Sequence, residues 1–273
     1  MGGSMGHLSF FIVLCLVATT AVYPAETHVF TDAQKSFWSL QPVKKPPVPA
    51  VKAKQGVNNP VDAFVLAKLE EKQLQPNPAA DKITLLRRVT IDLTGLVPTP
   101  EEIQAFVSDN SPTAYEKVIA RLLASPAYGE RWGRHWLDVA RYADSNGYKA
   151  DETRPDMWRY RDYVIDAFNE DKPYDRFVRE QIAGDELYPQ DPDALVAMGF
   201  NRHFIDETNA AGLVIRRQET LDEITNVTGT AFLGMTFACA RCHDHKYDPI
   251  LQKDYYRLQA FFANTSFGDG PIP

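Results

Sequence analysis

One short run in this chain has the residue types and spacing to do chemistry by itself: Cys239-Ala240-Arg241-Cys242-His243. Two thiols at this spacing reach the two vinyl groups on one porphyrin edge, and the adjacent imidazole turns inward to ligate the iron. Cys-x-x-Cys-His is therefore the attachment signature of c-type haem. The expectation is one covalent haem c, with Cys239 and Cys242 as thioether attachments and His243 as the proximal ligand of the iron. Three other chemistries compete. A zinc site needs about four ligands, and Cys239, Cys242, His243 and His245 are too crowded to close a tetrahedron without a distant His or Asp. A redox-active Cys-x-x-Cys normally opens a helix after a strand, and no thioredoxin-like pattern surrounds this one. A plain structural disulfide is the third.

The opposite axial position is less determined. Met1, Met5, Met157, Met198 and Met235 all precede the motif, so the downstream methionine of small soluble cytochromes c has no counterpart. His245 follows His243 too closely to reach the other haem face. His135, His203, Met198, Met235 or an open position remain, with His135 or His203 as the possible distal ligands. His135 lies among Trp132, Trp136 and Val139, where a lone histidine is more often a core residue.

A second constellation is polar. Asp138, Arg141, Tyr142, Asp144, Asn146, Tyr148, Asp151, Glu152 and Asp156 crowd one inter-helix stretch. The plain reading is a solvated helix end with an Asn-Gly turn and arginine–carboxylate pairs that hold helices together, as Arg159, Arg161 and Asp162 also would. A cation site or a paired-carboxylate hydrolase centre is the functional alternative.

The elements that must position these residues read as helices. Asn59-Pro60, Thr99-Pro100, Ser111-Pro112 and Ser125-Pro126 each pair a capping residue with a proline suited to the first helical position. Apolar residues at helical spacing follow each one: Val61, Phe64, Val65 and Leu69; Ile103, Phe106 and Val107; Tyr115, Val118, Ile119, Leu122 and Leu123; Tyr128, Trp132, Trp136 and Val139. Further helices are expected over 81–93, 155–168, 173–182, 192–200, 217–237 and 252–263. No stretch alternates over strand length. The class is all-α, a multi-helix globular domain over 59–267 preceded by an extended, proline-rich strap over 22–58. Phe37 and Trp38 should anchor that strap to the body, and 268–273 should begin a linker.

Composition narrows the functions. The chain has 273 residues, 44% hydrophobic and 24% charged, which suits a globular protein with a real core. A formal charge of −7, with no stripe of Lys and Arg against it, argues against nucleic acid as a partner. Leu8 to Ala18 is an apolar run too short to span a bilayer, followed by small residues, which marks 1–21 as a signal peptide without the usual basic start. The protein is expected to be periplasmic or secreted, with no stable membrane span after cleavage. Cys15 leaves with the signal, so the mature chain keeps only Cys239 and Cys242.

The run Met235 to Ile250 with Asp254-Tyr255-Tyr256 resembles a planctomycete-type, exported, cytochrome-like domain family of unknown function. The resemblance extends through Phe37-Trp38, Arg87 to Leu96, Gly129 to Asp138, Ala140 to Tyr148, Trp158 to Asp162 and Ala183 to Leu187. It implies a larger exported protein with this domain near its front and a second uncharacterised domain downstream, so the chain looks truncated. On these grounds the expected function is one-electron transfer in the cell envelope, to a redox partner protein or a downstream domain. The alternatives are an envelope polysaccharide-active hydrolase and a non-catalytic domain with a structural Cys pair.

Overall fold

A computed structural model describes residues 29–52, 56–147, 151–206 and 212–266. The signal peptide expected over 1–21, with Cys15, and the linker expected over 268–273 lie outside the described residues, as does Tyr148. The chain is all-α. Eleven α-helices are described, and the one β-bridge among the described residues pairs Ser145 with Thr153. The chain divides into two units, 1–43 and 44–273.

The described part of the first unit holds α1 (Asp32–Lys35), opened by a Thr31–Gln34 capping box, and a 3-10 turn at Trp38–Leu40. The strap is therefore not extended throughout. Phe37 and Trp38 are 55% and 80% exposed, with their ring centroids 6.2 Å apart.

In the second unit helices open at Pro60, Pro100 and Pro126 as the cap–proline pairs predict, although the Ser125 side chain makes no capping hydrogen bond. The helices of this unit are α2 (Pro60–Glu71), α3 (Lys82–Thr94), α4 (Pro100–Ser108), α5 (Ala114–Leu123), α6 (Pro126–Ala140), α7 (Trp158–Asn169), α8 (Tyr174–Leu187), α9 (Pro192–Ala197), α10 (Leu213–Leu233) and α11 (Gln252–Ala260). Asn59 and Thr99 close full capping boxes, each accepting from backbone N–H groups that the first helical turn leaves unpaired. Several ends differ from expectation: the helix expected over 155–168 begins at Trp158, the one over 173–182 runs on to Leu187, and those over 192–200 and 252–263 stop at Ala197 and Ala260. Ser111-Pro112 forms a turn, and α5 begins two residues later at Ala114. The expected helix over 217–237 starts earlier and stops at Leu233, because Gly234 adopts φ 63° and turns the chain out.

The buried faces also differ. On α2 the buried residues are Ala63 and Leu66, whereas Val61, Phe64 and Val65 are exposed. On α6 they are Gly129, Gly133 and Ala140, with Trp132 and Val139 outward. The cause is the close approach of α7. A Cβ on Gly129 would stand 2.4 Å from the Ile165 carbonyl oxygen, and one on Gly133 3.3 Å from the Ile165 side chain. Bare glycine lets the two backbones meet, and the aromatic residues flank the seam. Trp136 packs edge-on to Phe177, and its indole N–H reaches Tyr160 and Gln181. The main core joins Tyr160, Tyr163 and Val164 of α7 to Phe177, Phe200 and Val227.

Candidate functional site

The five-residue motif begins just after Gly234 releases the chain from α10. Ala238–Arg241 forms a single 3-10 turn, and Cys242 caps it. A 3-10 helix has three residues per turn, so side chains at i and i+3 eclipse one another. Cys239 lies within the turn and Cys242 is the residue that ends it. Both are free thiols and both are exposed.

The next residue is oriented by the backbone. Nδ1 of His243 lies 2.8 Å from the Asp244 carbonyl oxygen. A carbonyl only accepts, so Nδ1 is the donor, and in the neutral ring Nε2 is then the nitrogen with the lone pair. An imidazole held this way by its far nitrogen is set up to ligate a metal through Nε2. His243 is exposed, so that lone pair is accessible.

Three clamps fix the turn. Phe237, one residue before it, packs on Gly229 of α10 in a small core with Ala240, Ile250 and Tyr255. Arg241 pairs with Asp222 of α10 at 3.1 Å and also contacts Cys242; the Cys242 side chain first, then Asp222, holds its guanidinium above the ordinary value. The Arg241 carbonyl accepts from Gln252 Nε2 at 3.1 Å and from Tyr256 Oη at 3.0 Å, both on α11. Beyond the turn, Asp244 Oδ1 accepts from the Gln252 backbone N–H at 2.8 Å, which caps α11. His245 is half of a loop clasp. Its N–H donates to the Ile250 carbonyl, and its Nδ1 accepts from the Asp248 N–H at 2.9 Å.

The two other candidate histidines sit in different surroundings. His135 is on α6, edge-on to Trp132 at 5.6 Å between ring centroids. His203 is 3% exposed, packed edge-on to Tyr142 and Tyr160, with neither ring nitrogen hydrogen-bonded. Burial, and then the charges of Arg154 and Arg141, push its imidazole down to about 3, so it is neutral. Met198 accepts from the Gly184 N–H through its sulfur. Among the described residues no three of His, Cys, Asp or Glu converge into a group that would hold a metal ion. Neither His135 nor His203 is gathered with the motif in such a group.

The polar stretch after α6 resolves into structural pairs. Tyr142 donates to Asp144, Arg154 Nε donates to Asn146 Oδ1 at 2.7 Å, and Arg141 pairs with Glu223 of α10 at 2.5 Å. Arg141 ends α6 with φ 61°, a left-handed conformation unusual for a side chain of its size. Sequence reasoning missed Asp222 and Gly229, the two α10 residues that seat the motif. Both lie outside any motif, and only the packing of α10 gives them that position.

The fold and site define an all-α domain that displays two exposed thiols three residues apart and, beside them, an exposed imidazole held by the backbone. Residues 60–267 match the PSCyt2 family, described as a protein of unknown function (DUF1549), and the chain belongs to that family. No curated protein matches the chain, and no solved structure does.

Proposed function

We propose that this protein carries one covalent haem c and passes single electrons within the cell envelope. The observation that carries the reading is the turn itself. Cys239 and Cys242 are both exposed at this turn, and the Asp244 carbonyl holds Nδ1 of the neighbouring His243, which leaves Nε2 as the ligating nitrogen of the neutral ring. The residues present thus fit the group. Cys239 and Cys242 would form its thioethers and His243 would be an axial ligand. Bound there, the haem supplies a reversible one-electron couple.

The chain's own contribution is positioning. Asp222 and the α11 residues hold the turn before any cofactor arrives, and the Asp244 carbonyl keeps the proton on Nδ1. Thioether formation belongs to the oxidising side of a membrane, and the apolar run over 8–18 supports export to it. Among the described residues, no helix is long and apolar enough to cross a membrane. The electron partner in this reading is a second envelope protein or a downstream domain of the same polypeptide.

The test is expression of the full chain in a host with complete cytochrome c maturation machinery, followed by intact mass and a pyridine haemochrome spectrum. A mass increase of one haem is expected, lost in the Cys239→Ala/Cys242→Ala double variant. A polypeptide of unmodified mass would falsify the assignment.

A further inference from the structure

Before any porphyrin is attached, the cysteine pair offers a chemistry of its own. Cys239 and Cys242 are both free and both exposed, so their sulfurs are open to solvent. The Cys242 N–H donates to the Cys239 carbonyl at 3.3 Å, which closes the 3-10 turn between them. Three residues at a rise of about 2.0 Å each put the two Cα atoms about 6 Å apart. Two Cys side chains meet across a span of that size in ordinary disulfides, and they can equally meet on one small ion. The turn is anchored from its middle. Ala240, between the cysteines, is 0% exposed and packs with Phe237, Ile250 and Tyr255, so both thiols hang from a fixed backbone.

The donor set selects the ion. Zn(II) asks for about four donors in a tetrahedron. Among the described residues no three of His, Cys, Asp or Glu converge on one point, so the turn supplies only its two sulfurs. Cu(I) is a soft, closed-shell cation that prefers thiolates and is satisfied by a pair of them. Each thiol gives its proton to solvent when the ion binds, so two thiolates and one Cu(I) leave a single negative charge over. The Arg241 guanidinium lies against the Cys242 side chain and opposes that charge. Asp222 Oδ2, on a side chain 6% exposed, holds Arg241 in place at 3.1 Å. A cation so placed favours the thiolate, the form in which sulfur ligates a metal.

We propose that the haem-free turn binds one Cu(I) ion between the Cys239 and Cys242 sulfurs, with Arg241 as a positioning residue that offsets the excess charge. The site needs neither porphyrin nor maturation machinery, so it stands whether or not the haem reading does. While occupied, it withholds both sulfurs from a porphyrin.

The test uses the full chain expressed without maturation machinery, kept reduced under argon. Tetrakis(acetonitrile)copper(I) is the probe, and the coloured Cu(I) chelator bicinchoninate is the competitor. The chain should withdraw one equivalent of Cu(I) from the chelator and gain a sulfur-to-copper charge-transfer band in the ultraviolet. Cys239→Ser and Cys242→Ser should each abolish the withdrawal, and because both positions are exposed the melting temperature should hold. Arg241→Gln should weaken binding about tenfold, as loss of an outer-shell partner does, and Arg241→Lys should restore part of it. Affinity should fall as the pH is lowered, because protons compete for both sulfurs. Any of four results overturns the proposal. The chain takes no Cu(I) from bicinchoninate. Either Ser variant takes as much as the wild type. Zn(II) at equal concentration displaces the bound Cu(I). A chain that has gained the mass of one haem still takes up one Cu(I), which would put the ion elsewhere.

Discussion

The ring of Phe237 rests on the bare Cα of Gly229: a Cβ built there would stand 2.2 Å from Phe237 Cδ2. Phe237 immediately precedes the 3-10 turn that carries both cysteines, so the absence of a side chain on α10 sets where the thiols emerge. Gly229→Ala should therefore cost about 1–3 kcal/mol through overpacking, despite alanine being the better helix former. The covalent haem yield should fall with it. Urea midpoints and the haem-to-protein ratio check this. A variant as stable and as fully loaded as the wild type would show that Phe237 does not seat the turn.

Asp222 of α10 ties the same turn from its other side. It accepts from Gln259 at 2.8 Å, Gln218 at 3.0 Å, Arg241 at 3.1 Å and Tyr255 at 3.2 Å, and is 5% exposed. Asp222→Ala removes the carboxylate from four donors, and the buried Gln259 amide and Arg241 lose the acceptor that holds them. A loss of about 3 kcal/mol is expected in urea unfolding, from charge-assisted hydrogen bonds whose partners stay behind. The thiols should also become uneven in reactivity toward an aromatic disulfide reagent, because Arg241 is released from its position beside Cys242. Unchanged stability with unchanged thiol kinetics would remove Asp222 from the machinery of the site.

The helical class was legible because its signals are local. A capping residue before proline acts through backbone N–H groups within one turn, and Asn59, Thr99 and Asp191 cap as that chemistry requires. The motif was legible for the same reason, since the spacing of Cys239, Cys242 and His243 is fixed by adjacent residues. What faces the core was less so. On α6 the apolar residues Trp132 and Val139 point outward because Gly129 and Gly133 admit the α7 backbone, and periodicity alone ranks glycine as neutral. Asp222 acquires its position only from long-range packing, which no local spacing encodes.

Glu180 supports the core with a buried charge. It is 1% exposed and accepts from Tyr163 at 2.7 Å, Lys172 at 2.9 Å and Arg176 at 2.5 Å. Burial alone would raise its carboxyl, but hydrogen bonds from Lys172, Tyr163 and Arg176 outweigh it and hold the group below its ordinary value. A depressed carboxylate contributes stability that is present above the unfolded pKa and lost as pH falls through the folded one. Glu180→Gln should therefore cost about 3 kcal/mol at pH 7, where it leaves the part-buried Lys172 ammonium without its carboxylate. The gap to wild type should close as the medium is acidified past the carboxylate range. Urea titrations at neutral and acidic pH decide this, and a gap that persists in acid would mean that shape rather than charge is responsible.

His203 gives the opposite kind of group the same sign of pH dependence. Its ring nitrogens make no well-formed hydrogen bond, Tyr142 and Tyr160 pack against it, and the Arg154, Arg141 and Arg202 charges around it oppose protonation. Only the Ala140 backbone acts the other way. The folded imidazole titrates near 3, against an ordinary value of 6.5, so between those limits the unfolded chain binds a proton that the folded chain does not. Stability should then fall as pH drops below the ordinary value, at about 1.4 kcal/mol per pH unit from this residue. His203→Phe keeps a flat ring between the tyrosines and removes two unpaired polar atoms, so at pH 7 it should lie within about 1 kcal/mol of the wild type. At pH 5 it should be the more stable of the two. Thermal or urea unfolding of both proteins from pH 7 to pH 4 measures the difference in slope. Parallel curves would mean that His203 is protonated in the fold, and the arginine-lined surroundings would then need an anion among them.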